Sequence, residues 1–401
     1  MDGEGRLDAA QDRSEEKAQV ERVASVVARL KETRPWGTWS LAAICIAIFA
    51  WMEGTGGSTR PLTLFRLGAA GTGLVEVGEW WRLISAAFLH VGMLHIAINM
   101  FSLLSVGTTL ERYFGNARFL ALCVAGQVAG AIGAWRFDSV VPLGSWAFFF
   151  ASCGAALWIG VRHGKDLLPA AQRWMTRGML FWVGVNAMLW ATYFHCGLAG
   201  LAGSLVAGAL FAALVPPVVL RHDDRRTRSP LTAVCLSLGL SLFAVEGYVL
   251  WRGVASPGSA LGPEVTHVGP GSRYEVSLPA VLVSKPSQGS ELFDGPGVSV
   301  QIAIISLDAP IDLATAKETK LEDLEIRAGV PVTAATLQEV SGKRWLLIDG
   351  VARAGGLQRI GILSEGRALF RIWLVSTGGD FEEAKRIHLR AMESFRTHLG
   401  K

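Results

Sequence analysis

Long apolar runs separated by short polar breaks fill the chain at about 37–52, 83–107, 117–135, 143–161, 178–194, 196–218 and 231–251. Most approach the about 20 residues that a helix needs to cross a hydrocarbon core, so the pattern predicts seven membrane helices. The flanks read differently. Residues 1–35 are charged, with Val20, Val23, Val27 and Leu30 at helical spacing, which predicts a solvated tail holding at most a short amphipathic helix. Residues 252–272 carry Pro257, Pro263, Pro270 and five Gly, the composition of a linker. Beyond them, period-two alternation and β-branched residues predict strands at 274–278, 298–306, 333–340, 344–348, 357–363 and 369–375. A helix over about 381–397 follows, with Phe381, Ala384, His388, Ala391 and Phe395 along one face. Strands closed by a helix predict an antiparallel sheet with one covering helix.

Composition agrees with this division. Apolar residues concentrate before residue 252, and charged ones before 35 and after 270. The net charge of +4 is small and lies mostly in loops, so nothing points to nucleic acid. Most of the fourteen Trp residues also precede residue 252, where aromatic side chains suit membrane interfaces. Cys45, Cys123, Cys153, Cys196 and Cys235 all fall in apolar runs with no paired spacing, and read as small hydrophobes. The polar start excludes a cleavable signal peptide from the reading.

Charge also orients the helices. With a cytosolic N-terminus, the inner loops carry Arg112, Arg118, Arg162, Lys165, Arg173, Arg177, Arg221, Arg225, Arg226 and Arg228, against Arg60, Arg66 and Arg136 outside. Ten basic residues against three satisfy the positive-inside rule. The seventh helix then delivers the C-terminal region to the outer side.

The second apolar run is the unusual one, because it holds His90, His95 and Asn99. Polar side chains in hydrocarbon usually face a bundle interior or a wet cavity. His95 and Asn99 are four apart and share a helical face. Trp81-Arg82, Leu-His90-x4-His95-Ile-x2-Asn99-Met, and Gly107-x2-Leu110-Glu111-Arg112 together resemble the second transmembrane helix of rhomboid intramembrane serine proteases. That resemblance implies a six-helix bundle in which His95 and Asn99 donate to an oxyanion. It assigns His90 a structural place beside Trp81 and Arg82, and makes Glu111 and Arg112 an anchoring pair.

The resemblance also asks for a nucleophilic Ser on the fourth helix, in Gly-x-Ser-Gly, and a His on the sixth. Two alignments compete. Ala151-Ser152-Cys153-Gly154-Ala matches the motif and puts Cys153 at the nucleophile. Ser145, after Gly144, fits by depth, near the start of its helix and well before Arg162. Trp146 stands where the family has Gly, and is expected to push helices apart unless it points to lipid. His195 is the matching base, although Leu198 replaces a Gly; a second register leaves Leu201 in its place. Small residues at 200, 204, 208 and 212 mark a close helix seam in either register. A zinc site built from His90, His95 and His195 has no HExxH or carboxylate to support it.

The expected fold is an all-α polytopic membrane protein, a rhomboid-like six-helix bundle plus a seventh transmembrane helix, with a C-terminal α+β soluble domain faintly like PsbP or Mog1. The expected divisions are 1–35, a cytosolic tail; 36–220, the membrane domain; 221–252, a cytosolic loop and the seventh helix; 253–272, a linker; and 273–401, an extracytoplasmic domain. The resemblance implies an intramembrane serine endopeptidase of a bacterial plasma membrane that cleaves transmembrane protein substrates near the outer face. It would need no cofactor and no metal. Its rival is an inactive relative that binds or escorts membrane clients. Substrate identity, the outer domain's role and oligomeric state are not written in the sequence.

Overall fold

The computed structural model describes residues 2–138, 143–192, 198–220, 230–255, 262–287, 290–295, 297–307, 312–313, 332–351, 356–376 and 381–398. Its helices in chain order are α1 (Asp2–Glu32), α2 (Trp36–Thr55), α3 (Pro61–Arg66), α4 (Thr72–Glu76), α5 (Arg82–Ser85), α6 (Gly92–Ser102) and α7 (Thr108–Phe114). There follow α8 (Asn116–Phe137), α9 (Trp146–Arg162), α10 (Pro169–Arg173), α11 (Met179–Thr192), α12 (Ala199–Leu214) and α13 (Pro230–Ala255). The chain divides into two compact units. One holds Met1–Ser58, Leu67–Gly71 and Trp80–Ala255; the other holds Thr59–Arg66, Thr72–Glu79 and Ser256–Lys401.

The first unit is helical. Among the described residues, Lys17–Thr55, Gly92–Phe114, Asn116–Phe137, Ala199–Leu220 and Pro230–Arg252 are long and apolar enough to cross a bilayer, and Trp146–Arg162 is a shorter apolar helix. Residues 2–32 form α1 rather than a tail, with Val26 buried and Val23, Val27 and Leu30 half-buried on one face. The second apolar run departs from expectation. Residues 82–88 form two short turns, Leu89 and Val91 are extended, and the long helix starts only at Gly92. Gly92 has φ +76, a left-handed backbone that glycine adopts without strain. From there the helix runs through a π turn (Leu103–Gly107) into α7.

Helices α8, α9 and α12 meet where side chains vanish. A Cβ on Gly154 would strike the Leu205 carbonyl, and one on Gly208 the Ala151 carbonyl. On the other side, Gly203 faces the Ala129 carbonyl and Gly133 the Ala199 carbonyl, at 2.8 and 2.9 Å from where a Cβ would stand. Without lipid-phase hydrophobic drive, such backbone proximity supplies the dispersion contacts that hold helices together. Gly200, Ser204, Gly208 and Ala212, the four-residue repeat, are all buried in this seam.

The second unit is an antiparallel α+β structure joined by α3 and α4. Three strands, β1 (Glu264–Val268), β2 (Tyr274–Pro279) and the short β10 (Arg396–Thr397), form one sheet. Seven more form the other: β3 (Val283–Ser287), β4 (Ser290–Gly295), β5 (Val298–Ser306), β6 (Val332–Val340), β7 (Lys343–Val351), β8 (Leu357–Glu365) and β9 (Ala368–Ser376), in spatial order β3-β4-β5-β9-β8-β7-β6. The covering helix α14 (Phe381–Ser394) buries Ala384, Ile387, His388, Ala391 and Met392. Strand β1 falls inside the stretch that reads as linker, and β3 and β4 lack the alternation that marks the others. Within this unit α4 is tightly held: Leu74 and Val75 are fully buried, and a Cβ on Gly73 would overlap the Ala280 carbonyl.

Candidate active site

The site grows from the first turns of α6. Its N-cap is Val91, which has no side-chain acceptor to offer the orphan amides of a helix start. His95 fills part of that role, because its Nδ1 accepts the Val91 amide at 3.1 Å. In the neutral ring the proton is then on Nε2, the ring nitrogen that lies beside Gly144. One turn on, Asn99 donates through Nδ2 to the His95 carbonyl at 3.1 Å. Both side chains are buried, as their shared face requires.

Residues 144–145 close over that face. The Gly144 amide donates to the Ala86 carbonyl at 2.9 Å, which ties the start of α9 to the turn before α6. Gly144 has φ +97, and a Cβ there would stand 2.9 Å from His95 Nε2 and 3.3 Å from Asn99 Oδ1. Only a residue without a side chain brings the backbone so near both groups. Ser145, the N-cap of α9, is 1% exposed, and its Oγ donates to Asn99 Oδ1 at 3.3 Å. Ser145, His95 and Asn99 therefore converge on one buried point.

The other candidates are placed differently. Ser152 donates to the Phe148 carbonyl at 2.7 Å, the back-bond expected of a hydroxyl that serves only its own helix. Cys153 is buried in α9, about 12 Å of helix rise beyond Ser145. Its neighbour Gly154 is pressed against α12. His195 and Cys196 lie outside the described residues, in 193–197 between α11 and α12.

Trp146 corrects an expectation. It is 2% exposed and does not face lipid. The outer atom of its indole, Cη2, lies 3.0 Å from where a Cβ would stand on Gly130 of α8 and on Gly200 of α12. Two missing side chains on neighbouring helices make the notch that the large ring fills, so the helices are not forced apart. Trp190 of α11 completes an aromatic wall, with ring centroids 6.0 Å from Trp146 and 5.8 Å from His95. Neither the notch nor Trp190 could be paired with the site from spacing, because each joins residues far apart in the chain.

The remaining motif residues fasten the helices. His90 is fully buried in the bend, not on the helix, with Nδ1 3.2 Å from the Phe88 carbonyl and its ring 5.3 Å from that of His95. Arg82 is buried, donates to the Ala69 carbonyl at 2.9 Å and lies 4.5 Å over the Trp81 ring. Glu111 is fully buried and accepts the Gly37 and Thr38 amides at 2.6 and 2.7 Å and the Thr38 hydroxyl at 2.7 Å. A carboxylate thus caps the start of α2, where the helix dipole favours negative charge. Arg112, expected as its anchoring companion, is exposed. The buried Gln127, which sequence reading passed over, donates to the Leu83 carbonyl at 2.6 Å and joins α8 to α5. Among the described residues, no three His, Cys, Asp or Glu side chains gather as metal ligands would.

Residues 77–218, which hold Ser145, His95, Asn99 and the motif residues around them, match the Rhomboid domain. The chain is 28% identical over 228 residues to the rhomboid protease GluP of Bacillus subtilis (strain 168), covering 57% of this chain and 44% of that protein. It is 43% identical over 98 residues to RHOMBOID-like protein 5 of Arabidopsis thaliana, 24% of this chain and 32% of that one. It is also 35% identical over 85 residues to the Inactive RHOMBOID-like protein 8 of Arabidopsis thaliana, 21% of this chain and 24% of the relative. The matches span less than half the length of each of these relatives. A bundle with His95 and Asn99 on one buried face lies in a stretch that matches this domain, so residues 77–218 carry a rhomboid domain.

Proposed function

We propose that the chain is an intramembrane serine endopeptidase that cleaves transmembrane protein substrates near the outer membrane face. Ser145 is the nucleophile, His195 its base, and His95 and Asn99 are the oxyanion donors. The observation that carries this reading is the convergence of the Ser145 hydroxyl with Asn99 and the His95 Nε2 edge at a buried point. Ser145 also opens a 17-residue helix, whose positive end favours the negative charge that develops during acyl transfer. Attack by Oγ on a peptide carbonyl passes the hydroxyl proton to His195. The oxyanion takes a hydrogen bond from His95 Nε2–H, and one from Asn99 Nδ2 once its amide turns over. Collapse expels the amine, which receives the proton from His195, and water then releases the acyl group by the same route. The excess of basic residues in one set of loops supports a cytosolic N-terminus, an outward-facing site and an extracytoplasmic C-terminal unit in a bacterial plasma membrane.

A second reading is an inactive protein that binds or escorts membrane clients. It is favoured by the likeness to a relative whose name marks it inactive, and by Leu198, 53% exposed at the start of α12, where the family has Gly. A fluorophosphonate probe on the purified protein separates the readings. Labelling lost in Ser145→Ala and in His195→Ala supports the peptidase. Labelling kept in Ser145→Ala but lost in Cys153→Ala moves the nucleophile, and no labelling at all selects the inactive reading.

A further inference from the structure

We propose that Ser58 and Glu53 are positioning residues for this site: they fix the turn at Val91–Gly92 whose backbone orients the His95 imidazole. The proposal rests on the reading that His95 donates to an oxyanion. Ser58 follows α2 and is fully buried. Its Oγ accepts the Gly92 amide at 3.0 Å, across 34 residues of chain. Its hydroxyl proton is committed elsewhere, to Glu53 Oε1, which also accepts the Ser58 amide at 3.2 Å. A hydroxyl that donates to a carboxylate is polarised, and its oxygen becomes a better acceptor for the Gly92 amide.

The arrangement substitutes for a missing helix cap. Val91 cannot satisfy the first amides of α6, so Ser58 takes that of Gly92 and His95 Nδ1 takes that of Val91. These two amides are consecutive, so the peptide plane that Ser58 holds is the one next to the donor that fixes the His95 tautomer. Removing the Ser58 oxygen leaves Gly92 N–H orphaned, frees the turn to rotate, and loosens the Val91 amide that donates to Nδ1. The Nε2–H form beside Gly144 is then no longer enforced.

Two readouts on the full chain in detergent test this. The first is the ¹⁵N spectrum of histidine-labelled protein, with the His95 signals assigned from a His95→Gln difference. The wild type is expected in one tautomer with Nδ1 unprotonated; Ser58→Ala and Glu53→Gln are expected to mix the tautomers, and Ser58→Thr, which keeps the hydroxyl, to restore the single form. The second is the rate of fluorophosphonate labelling. It is expected to fall on the order of tenfold in the two deficient variants with probe affinity unchanged, as for a catalytic donor displaced by well under 1 Å. Glu53 is exposed, so Glu53→Gln leaves the packed interior intact should Ser58→Ala fail to fold. A single unchanged His95 tautomer in Glu53→Gln and in any folded Ser58→Ala overturns the proposal, whatever happens to thermal stability. A single wild-type tautomer that becomes mixed in the two deficient variants, in a protein that the probe never labels, would leave the positioning role standing and remove the peptidase reading instead.

Discussion

Acid should weaken the C-terminal unit chiefly through His388. His388 sits on the buried face of α14, fully enclosed, with Nε2 3.0 Å from the Ile372 carbonyl of β9. Gly361 of β8 makes the room: a Cβ there would stand 3.0 Å from the ring's Cε1. Nδ1 is buried without a hydrogen-bond partner among the described residues, so a proton added there would meet neither water nor an acceptor. Burial, with a smaller contribution from the Arg359 guanidinium, pushes the imidazole from 6.5 down to about 4; the Ile372 carbonyl and Asp349 oppose it. The unfolded chain binds its proton near pH 6.5, whereas the folded one resists until about pH 4. The stability is therefore fully present above pH 6.5 and is lost as the pH falls toward 4. At 1.36 kcal/mol for each pH unit, that interval amounts to about 3 kcal/mol, roughly three-hundredfold in the folded-to-unfolded ratio.

The assay is hydrogen exchange of the β8 and β9 amides in the full chain, corrected for intrinsic rates, from pH 7 to pH 4.5. His388→Leu keeps an apolar side chain of similar reach but cannot titrate. Carboxylates that also respond to acid are common to both proteins, so the difference between the two slopes isolates His388. The wild type should lose about 2–3 kcal/mol more than the variant across that range. Equal slopes, or a His388 resonance that titrates near pH 6.5, would refute the argument.

Three substitutions in the helical unit carry further expectations. Gly144→Ala forces a side chain into a left-handed backbone, at about 1–2 kcal/mol, and onto His95 Nε2; fluorophosphonate labelling should drop about a hundredfold while the protein stays folded. Glu111→Ala strands three buried donors at the start of α2 and should lower stability by about 3 kcal/mol or more, read as thermal unfolding in detergent. Glu246, 2% exposed in α13, has neither carboxylate oxygen hydrogen-bonded among the described residues. Glu246→Leu should therefore raise the unfolding temperature, with a gain of about 1–3 kcal/mol, and a fall would show that the carboxyl has a partner that matters.

Helix-length apolar runs, the β-pattern after residue 273 and the His95–Asn99 face were all readable from local periodicity, since each depends on residues within one or two turns or on neighbouring strand positions. The repeat at 200, 204, 208 and 212 was readable for the same reason. What escaped were features set by contacts between distant segments. The bend that delays the second helix to Gly92 is stabilised by Ser58, and a run of apolar letters gives no sign of a break that a hydroxyl 34 residues away completes. Strands β3 and β4 are defined by their partners in the sheet more than by their own alternation.

Trp146 shows the division most plainly. Read alone, a large ring at a close helix crossing argues against a packed site, and the sequence determines only that the ring is there. Whether it disrupts depends on Gly130 and Gly200, which belong to two other helices and lie opposite it only once the bundle forms. Likewise the chain offers Ser145 by depth and Cys153 by motif as competing nucleophiles. Their surroundings differ in the folded chain: the Ser145 hydroxyl reaches Asn99 across a seam, whereas Cys153 is buried in α9 beside a back-bonded Ser152, a difference of neighbours and not of letters. Local sequence dictates periodicity and chemistry; the proximity of backbones without side chains, which decides what that chemistry touches, exists only between packed segments.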